Sequence, residues 1–318
     1  MSLLDIFATA ILPVVAMAAV GVALGRLTDI DPGPLNTAIV YVLAPALVVH
    51  SLATTAFGGE TVLKVALSVV AYIVGMLAIA EAAGRLLGMA EPKLSALVLA
   101  ATFPNAGNYG VPLSDFAFPD GGRAVAVLYL GVHAVVMFTV GTYVASRAGG
   151  ASGLRGLRRV VRLPLVWAVP AALALRSLGV VPPTESTAMQ TLQLVGDSSI
   201  PLMLLVLGIQ LARTQYGRAL SQAVLPSVLK MAVAPAVAVA IALAVGFRDP
   251  TVARVFVLEC ATPAAITPLI LVTEFADGAD AGGVTAPEFV STTILVTTLL
   301  SVPVLTVLIA LLQDGLLV

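Results

Sequence analysis

Thr102-Phe-Pro-Asn-Ala-Gly-Asn-Tyr-Gly-Val-Pro112 interrupts an apolar stretch, 93–118, that is long enough to cross a bilayer as a helix. Two prolines, two glycines and two asparagines do not continue a regular helix at that depth. Each proline removes an N–H donor, and the carbonyls it frees must find partners in protein or water. A second apolar stretch, 250–276, carries its own interruption, Thr262-Pro-Ala-Ala-Ile-Thr-Pro268. If both spans unwind and cross there, two half-helix N-termini meet near the bilayer centre. Their free N–H groups and positive dipole ends favour an anion.

The two breaks fall at equivalent places in an internal repeat. Pro13 matches Pro170, Pro45 matches Pro201 and Pro104 matches Pro263, at offsets of 157, 156 and 159 residues. Working outward, we place apolar spans at 3–25, 35–54, 62–88, 93–118, 122–146, 163–180, 186–213, 218–247, 250–276 and 286–312. The expectation is an all-α membrane protein of ten transmembrane helices. Residues 1–146 form a first repeat and 163–318 a second, with a linker at 147–162. Five helices per half is an odd number, so the second half enters from the opposite side. Inverted repeats of this kind hold a substrate near the midplane at discontinuous helices.

Composition agrees with a bilayer. The chain has 318 residues, of which 59% are hydrophobic and 10% charged, and its mean hydropathy is +1.07. A soluble domain of this length needs more charge to cover its surface. The formal net charge of −1 offers no basic face for nucleic acid. Cys260 is the one cysteine, so no intrachain disulfide forms. The first apolar run lacks a basic n-region and is expected to be retained as a helix. Arg26, Arg85, Lys93, Arg213 and Arg218 fall on the side of the arginine-rich 147–162 linker, about twice the basic residues of the other side. The positive-inside rule then puts that side in the cytoplasm of a cell (plasma) membrane and both termini outside.

The candidate substrate residues are Pro104, Asn105, Ala106 and Asn108 at the first break and Thr262, Pro263, Ala264 and Thr267 at the second. Asn105, Asn108 and the threonines are placed to cap the half-helices or to donate to a carboxylate. Intramembrane charge marks function by default. Lys230 and Glu259 are expected to pair, because an unpaired buried charge is costly. That pair is either purely structural, or Glu259 titrates or binds a cation in exchange for the lysine. Asp197 either caps a helix or reaches water in a cavity beside the seventh span. His133 is a hydrogen-bonded structural residue or a proton relay, and Glu81 and Arg85 form an i,i+4 pair. No zinc-ligand pair, P-loop or nucleophile elbow is present, and no cofactor is implied. An intramembrane aspartyl protease needs two facing aspartates, and only Asp197 is placed deep. The chemistry therefore points to transport and away from catalysis.

The chain resembles the auxin efflux carrier family, the prokaryotic relatives of the plant PIN transporters. Four segments carry the likeness. They are Leu12-Pro13 with Gly21 and Gly25-Arg26, Leu43-Ala-Pro-Ala-Leu47, the break at Pro104-Asn105 with Gly110, and Ile200-Pro-Leu-Met-Leu-Leu-Val-Leu-Gly-Ile-Gln-Leu-Ala212. The resemblance implies a scaffold of helices 1, 2, 6 and 7, often dimeric, with helices 2 and 7 as the dimer face. It implies a transport domain of helices 3–5 and 8–10 with broken, crossing helices 4 and 9. It also implies alternating access for a small organic anion such as a carboxylate, with Asn105 at the substrate carboxylate. The plant motif has an asparagine where this chain has Phe103, and the long loop of many PINs is absent, which argues against auxin itself. The related bile-acid symporter fold has a glutamate where Glu259 stands. A sodium- or proton-coupled symporter of the bile-acid or antiporter kind is the alternative.

Overall fold

The computed structural model describes residues 2–55, 57–149, 163–213, 220–276 and 283–318. Within them the chain is helical: α1 Leu3–Leu27, α2 Pro32–Thr54, α3 Gly59–Leu86, α4 Lys93–Thr102, α5 106–117, α6 Gly122–Arg147, α7 Pro164–Ser177, α8 Thr187–Ala212, α9 Leu220–Val245, α10 Pro250–Ala261, α11 Thr267–Ala276 and α12 Ala286–Gln313. Among the described residues there is no strand, only one isolated β-bridge. The expected linker lies outside the described residues from position 150 onward, as does Arg218.

Seven of these helices are long and apolar enough to cross a membrane: α1, α2, α3, α6, α8, α9 and α12. The expected spans 93–118 and 250–276 are each split in two at their prolines. On α3, Val65, Val69, Tyr72, Ile73 and Met76 are buried while Leu63, Leu67, Val70 and Val74 are exposed. An apolar face left outward at helical spacing needs lipid to cover it. The protein is a multi-pass membrane protein on these grounds.

Prolines shape the helices locally. A helical proline lacks an N–H and clashes with the carbonyl four residues back. Ahead of Pro13, Pro45, Pro112 and Pro235 the helix widens into one π turn, at Phe7–Ile11, Ile39–Leu43, Ala106–Gly110 and Leu229–Val233. In each case the residue just before the proline donates its N–H to the carbonyl five residues back. Pro170 and Pro303 are instead held inside continuous α-helix.

α1 and α8 form the most extensive helix pair. Gly21 lies against the backbone of Leu205 and Gly208, and Gly208 lies against Ala18 and Gly21. No side chain fits between them, so the backbones approach closely, as small residues allow in lipid. Arg213 Nη2 donates to the Ile30 carbonyl at 2.7 Å, which puts the end of α8 beside the start of α2. Arg147 pairs with Glu81 at 2.8 Å, and the expected Arg85–Glu81 pair forms at 2.7 Å. The far end of the bundle carries its own contacts. Gln313 at the end of α12 donates to the Ala117 carbonyl at 2.9 Å.

Candidate functional site

The two interruptions meet. Asn105 N–H donates to the Pro263 carbonyl at 2.8 Å, and Ala265 N–H donates to the Phe103 carbonyl at 2.9 Å. Pro104 and Ala264 thus face each other in a short antiparallel bridge. The backbone groups that proline denies to a helix are satisfied by the partner break. α5 then begins at Ala106, with the Asn105 carbonyl accepting from Tyr109 and Gly110 N–H at 3.3 and 2.9 Å. α11 begins after Ile266, whose carbonyl accepts from Leu269 N–H at 2.9 Å.

A cavity of about 400 Å³ lies against this crossing. One wall is made by Pro104, Asn105, Ala106, Gly107 and Asn108, with Ala265, Ile266 and Thr267 beside them. The facing wall comes from α2 (Asn36, Thr37, Tyr41) and α8 (Met203, Gln210), and α6 adds Leu130, His133 and Met137. Both half-helix N-termini therefore border one space. The first turn of a helix leaves N–H groups without intrahelical partners. α5 offers more of them than α11, because Pro268 sits in the first turn of α11. No lysine, arginine, aspartate or glutamate is among the described residues that line the cavity. Asn105 Nδ2 and His133 Nε2 line the cavity and are buried without a hydrogen-bond partner among the described residues. The His133 ring stacks on Tyr129 and meets Phe103 edge-on, each with centroids 5.8 Å apart. A second cavity of about 410 Å³ shares Gln210, Ile266 and Ile270 with the first and runs toward Arg213 and Glu288. The space thus continues to the bundle end where α8 stops.

Of the expected substrate residues, Pro104, Asn105, Ala106, Asn108 and Thr267 line the cavity. Thr262, Pro263 and Ala264 do not; they lie behind it. Pro263 cannot supply the N–H that the Glu259 carbonyl would take in a helix. Thr262 replaces it, with its hydroxyl donating at 2.8 Å. Ala264 N–H has turned to Thr297 Oγ1 at 3.1 Å, which leaves the Cys260 carbonyl to other donors.

That carbonyl is where Lys230 goes. Its Nζ donates to the Cys260 carbonyl and to Tyr72 Oη, both at 2.9 Å, and Tyr72 Oη donates to the same carbonyl at 3.0 Å. Lys230 therefore caps the C-terminus of α10, where a cation complements the dipole. The expected Lys230–Glu259 ion pair is not formed. Successive residues on a helix do not share a face. The lysine reaches the backbone at 260, while the carboxylate at 259 turns to α5 and accepts from Ser114 Oγ at 2.8 Å. Asp197, expected deep in the bilayer as a cap or beside a cavity, is instead partly exposed and ion-paired. It pairs with Arg123 at 2.5 Å, and Arg123 pairs with Asp115 at 2.7 Å. This cluster ties α8 to α5 and α6 at the end of the bundle away from the cavity mouth. In the sequence Arg123 is only a charge in a short connection between apolar spans, with nothing beside it to show its partners.

A family model described as membrane transport protein matches residues 6–309. The chain belongs to this family. It is the auxin efflux carrier family that the four segments resembled, and membership makes the protein a transporter and not an enzyme. Among relatives, an uncharacterized transporter of Methanothermobacter thermautotrophicus is 28% identical over 253 residues, covering 79% of this chain and 82% of that protein.

Proposed function

We propose that the protein is a secondary transporter that carries a small organic anion, a carboxylate, across the plasma membrane by alternating access. The observation that carries this reading is the cavity at the paired breaks. There, two helix N-termini and Asn105 Nδ2, unpartnered among the described residues, converge on a space that no described acidic side chain lines. Such a site suits one carboxylate: the N–H groups and dipole ends neutralise it, and Asn105 orients it. The walls divide as two moving bodies would. α1, α2, α7 and α8 form the scaffold, and α3–α6 with α9–α12 carry the breaks. The matched prolines support two inverted repeats, 1–146 and 163–318, with both termini outside and a scaffold that pairs through α2 and α8. The Asp115–Arg123–Asp197 cluster closes the end opposite the cavity mouth, which suits a state open to the linker side.

The test is binding of purified protein to acetate, malonate, malate and indole-3-acetate by calorimetry, in sodium and in potassium buffers. Saturable binding of at least one of them supports the reading. Binding of none, by protein that melts cooperatively, refutes it.

A further inference from the structure

Glu259 has no role in the cavity just described. It is completely buried in the last turn of α10, behind the crossing. One carboxylate oxygen accepts from Ser114 Oγ at 2.8 Å, and Oε2 has no hydrogen-bond partner among the described residues. The carboxylate lies flat against Gly110 of α5, so closely that a Cβ at Gly110 would occupy its place. Among the described residues, the groups around it supply no counter-charge at contact. Lys230 of α9 and Tyr72 of α3 are engaged with the Cys260 carbonyl. Tyr129 of α6 contacts Cys260 Sγ at 3.5 Å, and Tyr109 of α5 bonds Ser301 of α12 at 3.0 Å. Asp115, next to Ser114, is held by Arg123.

We propose that Glu259 is a proton-binding site of the transport domain and couples substrate movement to protons. This inference rests on the transport reading above. A carboxylate buried with one hydrogen bond and no counter-ion is stabilised most simply by taking up a proton, which turns it into a neutral acid. The O–H bond forms with a proton from water on one side of the membrane. It breaks when movement of the domain opens the Gly110–Glu259 contact to water on the other side, and the proton leaves as hydronium. A sodium ion suits this place poorly, since hard cations take several oxygen ligands. Here, among the described residues, Ser114 Oγ is the one side-chain oxygen on the carboxylate. The glycine at 110 is what lets the acid sit against α5 at all.

Infrared difference spectroscopy on purified protein in nanodiscs, without any carboxylate ligand, tests the site directly. The parent should show the C=O stretch of an un-ionised carboxylic acid at neutral pH. Glu259→Gln should lose that band, and Ser114→Ala should shift it by removing the one hydrogen bond. A parent with no such band, or a band indifferent to Ser114→Ala and Glu259→Gln, overturns the assignment. A band that vanishes when sodium replaces potassium marks a sodium site and overturns it as well. Coupling is read in proteoliposomes with a trapped pH-sensitive dye and a malonate gradient. Parent vesicles should move protons with malonate, and Glu259→Gln should lose the proton movement while malonate binding by calorimetry remains. Proton movement unchanged by Glu259→Gln overturns the coupling. A parent that binds none of the four carboxylates counts against the transport reading instead, one that binds another of the four is assayed with that one, and the infrared band still decides the proton site.

Discussion

Replacing Asn105 by alanine isolates the side-chain contribution to anion binding from every other feature of the site. Asn105 is 6% exposed, and its Nδ2 has no hydrogen-bond partner among the described residues. The bonds that hold the crossing come from its backbone, N–H to Pro263 and carbonyl to Tyr109 and Gly110, and survive the change. Without ligand, then, Asn105→Ala removes a buried donor that bonds to nothing. The cost of leaving such a donor unmet disappears with it, so the empty variant should melt no lower than the parent. With a carboxylate bound, the lost interaction is a hydrogen bond to a charged group, about 1.5–3 kcal/mol. Affinity should fall roughly ten- to hundred-fold. Asn105→Asp should be weaker still, because it brings a like charge to the anion. Calorimetric titration of the three proteins with whichever carboxylate the parent binds gives the affinities, and thermal melting without ligand gives the control. Equal affinity for the parent and Asn105→Asp would mean that the anion sits elsewhere and that the breaks serve as hinges only.

The remaining expectations concern the supports of the site. Asp197→Asn removes a partly exposed ion pair worth up to about 1 kcal/mol. Amide hydrogen exchange around 114–123 should accelerate by up to about fivefold, and an unchanged rate would clear the Arg123 cluster of any closing role. Thr262→Val keeps the shape but leaves the Glu259 carbonyl with a poor donor. It should cost about 1–3 kcal/mol in thermal stability, whereas Thr262→Ser should cost little. Gly208→Ala pushes a methyl into the Ala18 carbonyl and should cost about 1–3 kcal/mol by overpacking, seen as a fall in Tm. Lys230→Met and Glu259→Gln should be additive to within about 0.5 kcal/mol in a double-mutant cycle, because the two do not touch. A larger coupling energy would restore the ion pair that the sequence suggested.

The breaks were legible because proline and glycine act on their own backbone, whatever the tertiary context. The interruption at Pro104 and that at Pro263 could be found by reading along the chain. Contacts that depend on rotation about a helix axis were not legible. Lys230 and Glu259 looked like partners because both are charged and deep. The side on which each emerges decides otherwise, and one residue of offset sends the lysine to the Cys260 carbonyl. Arg123 was hidden for a similar reason. Its partners Asp115 and Asp197 are 8 and 74 residues away, and only the packing of α8 on α5 brings them together. At the second break the threonine and proline drew attention as ligands, yet Thr262 is spent on the carbonyl that Pro263 leaves behind. The place of His133 on the cavity wall comes from the tertiary fold.

The widened turns ahead of Pro13, Pro45, Pro112 and Pro235 have a consequence for how sequences of this kind diverge. A π turn is equivalent to one extra residue within an α-helix, and it rotates everything downstream by about 100°. Losing that residue rewinds the helix and restores a clash at the proline, unless the proline is lost in the same lineage. Chains descended from a common ancestor should therefore differ in length by single residues inside their membrane spans at these four places. Each such deletion should coincide with a proline replaced by another residue. Away from these four and from the proline-free π turn at Met137–Gly141, a single-residue gap in a span would turn a lipid-facing side inward, and selection should remove it.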